Sequence, residues 1–163
     1  MKKIKTSKES LEILIGKKLK KKKKTLAIAE SCTGGLVSSL ITNVSGSSKY
    51  FTGGIVAYSN DVKINILGVP EALIKRHGAV SRQVALEMAI GARELLDSRI
   101  ALSITGIAGP TGGTKEKPVG TAFIAVSSAR KTKIRKVRFK GSRESIKSQF
   151  SQSALSLILE FIS

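Results

Sequence analysis

Apolar residues along the chain fall into short blocks whose spacing alternates between two periods. Leu11, Leu14, Ile15 and Leu19 recur at helical intervals behind Thr6 and Glu9, which have capping-box spacing, so a helix is expected over residues 7 to about 23. Residues 25–30 (TLAIAE) form a continuous apolar run of buried-strand type. The chain then passes through Ser-Cys-Thr-Gly-Gly into a helical pattern carried by Leu36, Val37, Leu40 and Ile41, closed by Ser45-Gly46-Ser47-Ser48. Residues 50–59 read as a second strand, in which Gly53-Gly54 mark a bulge or a close backbone approach. Short helical pieces are expected at 61–67 and 70–76. A longer helix follows at 81 to about 96, with Ser81 as its N-cap.

The second half repeats the theme. Residues 100–105 (IALSIT) read as another buried strand ending in a glycine-rich loop, 106–114. Residues 119–128 and 132–139 read as an antiparallel pair, and 143–162 as a closing helix with Ile146, Phe150, Ala154, Leu157, Ile158 and Phe161 on one side. Strands alternating with helices predict a three-layer α/β/α sandwich around a mixed, mainly parallel sheet. The 163 residues suit one domain, in which a basic helix within 1–24 joins the body at 25–163.

Charge complicates this picture. The formal net charge is +18, and residues 1–24 hold 11 lysines against Glu9 and Glu12, a local +9. The remaining cations look dispersed, and aromatic residues are few, so base stacking has little to work with. Cations at the end of the first helix also complement its dipole. A nucleic-acid partner therefore stays open but is not favoured over a solvated basic face. No apolar run reaches the roughly 20 residues of a membrane span, no secretory signal is evident, and Cys32 has no cysteine partner for a disulfide or a zinc knuckle. These features predict a cytoplasmic protein without a membrane partner, metal or cofactor.

Three blocks carry candidate chemistry. In Glu30-Ser31-Cys32-Thr33-Gly34-Gly35, a hydroxyl sits where a strand hands over to a helix, with main-chain amides of Thr33, Gly34 and Gly35 available for a phosphate or a developing oxyanion. The plainer alternative is an N-cap and a tight turn. In Tyr58-Ser59-Asn60-Asp61-Val62-Lys63, a desolvated Lys63 could activate a serine, with Tyr58 orienting or relaying the proton, or it could be one of many solvated lysines. Thr105, Gly106, Ile107, Ala108, Gly109, Gly112 and Gly113 belong to a loop whose spacing is neither Walker A nor the Rossmann fingerprint, so ATP and NAD are not implied. His77, just before Gly78, suits a helix C-terminus better than acid–base work. Cys32 is an alternative nucleophile if the helix dipole lowers its pKa, and an inert buried thiol otherwise.

Taken together, AESCTGGL at 29–36, GSSKYFTGGIVAYSNDVKINILGV at 46–69, HGAVS at 77–81 and TGIAGPTGGTKEKPVGT at 105–121 resemble the CinA C-terminal-domain family over about residues 25–160. That family is similar to stand-alone nicotinamide mononucleotide amidohydrolases. The resemblance implies hydrolysis of nicotinamide mononucleotide to nicotinate mononucleotide and ammonia in pyridine-nucleotide salvage. It also implies Ser31 as nucleophile, Lys63 as its base and Tyr58 at the family tyrosine position. Thr33, Gly34, Gly35, the 105–113 loop and Arg143 then fall on the substrate-binding side. It implies further copies of the chain as partners. Larger family members carry a domain resembling molybdopterin-binding proteins, where a lysine-rich helix is expected here. Lys147 stands where a second arginine is expected, so a point charge replaces a forked donor. The competing class is a catalytically degenerate nucleotide- or nucleic-acid-binding module of the same fold.

Overall fold

The computed structural model of the protein describes residues 9–163. Thr6, and with it the expected capping box, lies outside the described residues. The first helix, α1 (Leu11–Lys22), begins after an extended Ser10 and ends at Lys23 in the left-handed conformation. β1 (Leu26–Glu30), α2 (Leu36–Thr42), a short 3-10 turn (Ser47–Lys49) and β2 (Phe51–Val56) follow, then α3 (Asn60–Asn65), α4 (Glu71–His77) and α5 (Arg82–Leu95). The chain closes with β3 (Ile100–Gly106), β4 (Thr121–Ser128), β5 (Thr132–Arg138) and α6 (Arg143–Ile162).

The five strands lie in the order β2-β1-β3-β4-β5. β1 pairs parallel with β2 and β3, β4 pairs antiparallel with β3, and β5 antiparallel with β4, so only β4 runs against the others. This is the mixed, mainly parallel sheet expected from the sequence. Helices cover both faces. Leu26, Ile28, Ile100, Leu102, Ile104, Ile124 and Val126 point toward α1, α2 and α6, where Ile15, Val37, Phe150 and Ile158 complete the larger core. The other face carries small residues, Ala27, Ala29, Ala101 and Ala125, beneath α5 and the segments around it.

Small residues on that face let α5 come close. The Ser103 hydroxyl, fully buried, donates to the Ala85 carbonyl of α5. At Gly91 an added Cβ would sit 1.8 Å from the Leu67 carbonyl oxygen, so the helix and the chain leaving α3 touch through main chain. Ser81 caps α5 by accepting from the Val84 amide, as its position in the sequence predicted. The Gly53-Gly54 pair serves both expected purposes. The β1–β2 register skips Thr52 between Leu26 and Ala27, and a Cβ at Gly54 would meet the Ser38 hydroxyl of α2 at 2.3 Å.

Two strand ends differ from the sequence reading by more than one residue. β2 stops at Val56, three residues short of Ser59, because the carbonyls of the next three residues turn inward to a buried amine instead of a neighbouring strand. β4 starts at Thr121 rather than Val119. Gly120, at φ +87°, has its Cβ position 1.8 Å from the Phe139 carbonyl oxygen, and the backbone kinks there before joining the ladder.

Candidate active site

The carboxyl-terminal ends of β1 and β3 open onto a cleft of about 270 Å3 lined by residues from the β1–α2 turn, the β2–α3 junction, the Ala79-Val80 corner, the β3–β4 loop and α6. Ser31 extends β1 by one step, its amide donating to the Ile104 carbonyl at 3.0 Å, and its side chain faces the cleft while only 8% exposed. Asn60 begins α3 beneath the Ser59 cap, and Lys63 one turn later projects back under the sheet edge, 2% exposed.

There the Lys63 amine lies 3.2 Å from Ser31 Oγ, 2.8 Å from the Ala57 carbonyl, 3.2 Å from that of Tyr58 and 3.5 Å from that of Ser59. Burial pushes the lysine below its ordinary pKa, against a smaller opposing influence from Cys32. A neutral amine has two N–H groups and one lone pair. The two nearer carbonyls satisfy the donors, and Ser31 O–H can then donate to the lone pair. The sequence left Lys63 open between base and solvated lysine, and the fold removes the solvated alternative. The Cys32 alternative is also weakened, because burial first, and the nearby Glu30 carboxylate less, hold the thiol protonated with a pKa pushed up to about 12.

The amides after Ser31 are distributed differently from the sequence expectation. Glu30, fully buried, turns its carboxylate onto the start of α2, accepting from the amides of Gly35 and Val37 at 3.0 Å each, from the Ser38 amide at 2.8 Å and from the Ser38 hydroxyl at 2.7 Å. Gly34 donates to the Ser31 carbonyl at 3.2 Å. The Gly34 and Gly35 amides expected to meet a ligand are therefore occupied within the chain. Among the described residues, no other residue accepts from the amides of Cys32 and Thr33, and the buried Thr33 hydroxyl has no partner. Gly35, at φ +97°, supplies the left-handed step that swings the chain into α2.

Tyr58 also departs from its expected role. Its carbonyl, not its phenol, touches Lys63, and the residue is 62% exposed at the rim, its phenol accepting from Arg143 at 3.1 Å. Arg143 also donates to the Gly109 carbonyl at 2.6 Å, so one guanidinium ties the β2–α3 junction to the β3–β4 loop. Thr105, Gly106, Ile107, Ala108 and Gly109 line the cleft as expected, with the Thr105 hydroxyl held by the Ala79 carbonyl at 2.9 Å. Gly112 and Gly113 do not. A Cβ at Gly113 would lie 2.7 Å from the Val119 amide, so that stretch packs on the far limb of its own loop, and Thr111 faces the cleft instead. Asn60, Ala79, Val80 and Thr111 are lining residues that sequence reasoning did not single out, although all four stand inside the quoted blocks. His77 ends α4 and is absent from the lining, and its carbonyl accepts from Lys117. The Lys147 amine lies 3.7 Å from where a side chain on Gly34 would start, one helical turn beyond Arg143. Among the described residues, no group of three His, Cys, Asp or Glu side chains is placed to hold a metal ion.

Known proteins share both sequence and architecture with this chain. The family described as "CinA C-terminal domain" matches residues 8–162, which takes in α1 as well as the stretch whose motifs carried the resemblance. A CinA-like protein of Koribacter versatilis is 51% identical over 153 residues, covering 94% of this chain and 37% of the relative. One from Thermotoga maritima is 48% identical over 154 residues, covering 94% of this chain and 38% of the relative. The chain thus spans well under half the length of these relatives. A crystal structure of competence/damage inducible protein CihA from Agrobacterium tumefaciens superposes with TM-score 0.88 at 35% identity, covering 92% of this chain and 94% of that one. A CinA superfamily protein from Enterobacter cloacae superposes with TM-score 0.91 at 28% identity, covering 100% and 99%. The chain belongs to the CinA C-terminal domain family.

Proposed function

We propose that this member of the CinA C-terminal domain family is an amidohydrolase that converts the carboxamide of nicotinamide mononucleotide to a carboxylate, releasing ammonia. The observation that carries this reading is the 3.2 Å approach of a buried lysine amine to a serine hydroxyl at the floor of a cleft. Neutral Lys63 takes the Ser31 proton as Oγ attacks the amide carbon. The carbonyl oxygen becomes an oxyanion, for which the free amides of Cys32 and Thr33 are the donors at hand. The lysine, now an ammonium, is held by the carbonyls around it until it protonates the departing nitrogen. Ammonia leaves, and a water molecule deprotonated by Lys63 attacks the acyl-serine, returning free Ser31 and a nicotinate product.

The cleft is slightly below the roughly 300 Å3 at which drug-sized pockets begin, and its open side lets a mononucleotide extend outward. Arg143 and Lys147 supply positive charge on the α6 side for a phosphate. Ammonium release from nicotinamide mononucleotide, followed by a coupled dehydrogenase assay, tests the reading. Ser31→Ala should abolish release, and Lys63→Met should lower kcat by about 100- to 10,000-fold, the usual contribution of a positioned base. Absence of release by the unmodified chain, or release that persists in Ser31→Ala, defeats it.

A further inference from the structure

Cations that look scattered in the sequence converge at the edge of the sheet opposite the cleft. The last turn of α1, the start of β1, the 3-10 turn, the residue before β3 and the β4–β5 turn all meet there. Lys20, Lys23, Lys24 and Lys49 line one groove over Leu19 and Thr25. Lys24, Arg99, Arg130 and Lys131 line a second, and Lys24 belongs to both. All seven side chains are on exposed residues, and none takes part in an ion pair among the described residues.

Helix-dipole complementation explains only part of this gathering. It accounts for lysines in the last turn of α1, and two cations are tied to the end of α6, Lys22 through the Ile162 and Ser163 carbonyls and Lys131 through the Phe161 carbonyl at 2.8 Å. It does not account for Lys49, Arg99 or Arg130, which arrive from other elements. Like charges brought together without carboxylates repel, and an external anion relieves that repulsion.

We infer that these joined grooves form a docking surface for the phosphodiester backbone of a double-stranded nucleic acid, separate from the cleft. A line of cations along concave walls matches an extended polyanion. None of the exposed large apolar residues, Ile13, Val56, Tyr58, Ile66 and Leu95, lines either groove, which disfavours insertion into a lipid surface. No exposed aromatic ring lines them to stack on bases, so the contact is with phosphates and carries no sequence preference. β1, five residues long, separates this edge from Ser31 by about 16 Å at roughly 3.3 Å per residue, so both sites can be filled together.

Fluorescence anisotropy with a labelled 20-base-pair duplex, as DNA and as RNA, tests the inference across 50–200 mM salt. If Lys20, Lys23, Lys24 and Arg130 each neutralise one phosphate, a fourfold rise in salt weakens their joint contribution to DNA binding about 150-fold, from a slope of about 0.9 per contact. The variant K20Q/K23Q/K24Q/R130Q should lose that slope. K75Q/R76Q/K136Q/R138Q, with the same change in net charge at other positions, should keep it. Thermal melting by circular dichroism confirms that both variants are folded, and neither set includes a residue of the cleft. Binding of either duplex with this pattern supports the surface, and the tighter duplex identifies its source. Three results overturn it: no duplex binding at 50 mM salt, equal losses in the two variants, or binding to phosphatidylserine vesicles but to neither duplex.

Discussion

Replacing Glu30 by glutamine removes one carboxylate oxygen while keeping size and shape, at a side chain that no solvent reaches. Each oxygen now serves two donors, Oε2 the amides of Gly35 and Val37, and Oε1 the amide and hydroxyl of Ser38. In its better orientation the glutamine NH2 takes the Oε1 position, where the Ser38 hydroxyl can rotate to accept. The Ser38 amide is then stranded against another donor, costing about 1–3 kcal/mol, and three bonds to a charged acceptor become neutral ones, each weaker by about 1 kcal/mol. Relief of the carboxylate's own burial offsets part of this, leaving a loss of about 2–4 kcal/mol. For a domain of this size that is a fall in Tm of about 4–16 °C. Because the same bonds fix the Ser31 turn, kcat for amide hydrolysis should fall more than KM rises, by up to about 100-fold for a 1 Å shift. Urea denaturation and steady-state kinetics at 25 °C give both readouts. A Glu30→Gln protein within 0.5 kcal/mol of the parent, with kcat unchanged, would refute the assignment of Glu30 as the residue that shapes this turn.

Three further outcomes follow from the same geometry. Since burial lowers the Lys63 pKa from an ordinary 10.5, the unfolded chain binds more protons than the native one between the two values. This group's contribution to stability therefore rises with pH across that window, and its penalty is full below it. The acid limb of kcat/KM should report the lowered value, and denaturant midpoints measured against pH should lose that rise in Lys63→Met. Cys32, held protonated with a pKa of about 12, should resist iodoacetamide at pH 8 in the folded protein and react in urea, and Cys32→Ala should keep catalysis within a few-fold. Rapid alkylation of the folded chain, or loss of activity in Cys32→Ala, would revive the thiol as nucleophile. Gly91→Ala drives a methyl to 1.8 Å from the Leu67 carbonyl, and the backbone displacement should cost about 1–3 kcal/mol by chemical denaturation, outweighing a helix-propensity gain of about 1 kcal/mol. A more stable Gly91→Ala protein would show that α5 and the Leu67 segment are free to separate.

Much of the fold was legible because its signals are local. The apolar spacing of α6 predicted residues 143–162 and the structure has Arg143–Ile162. Ser81 declared the start of α5 through its side chain alone. The misread boundaries occur where a distant partner decides the backbone. Residues 57–59 have strand-like composition, yet their carbonyls turn to Lys63. Val119 reads as strand, yet it packs against Gly109 and Gly113 of its own loop. The apparent dispersal of cations failed for the same reason. Lys49, Arg99 and Arg130 are far apart in sequence, and only the sheet's N-terminal edge brings them beside α1.

The Glu30 correction reaches furthest into function. A strand, a glycine turn and a helix suggest a free helix N-terminus ready for a substrate anion. Here the chain supplies the anion itself. With Gly35, Val37 and Ser38 bound to Glu30, the positive end of α2 is neutralised from within, and the unengaged donors are the two amides closest to Ser31. For the proposed hydrolysis, the turn is thereby suited to charge that develops next to the attacking oxygen rather than to a phosphate that is charged throughout. A phosphate must find its partners elsewhere, and the cations nearest the cleft are on α6, with Arg143 already spanning Tyr58 and Gly109. Under the proposed function, Arg143 both holds the cleft's rim and meets the substrate's phosphate. Arg143→Lys should accordingly raise KM for the mononucleotide while sparing KM for the nucleoside that lacks the phosphate, a split that a purely structural arginine would not produce.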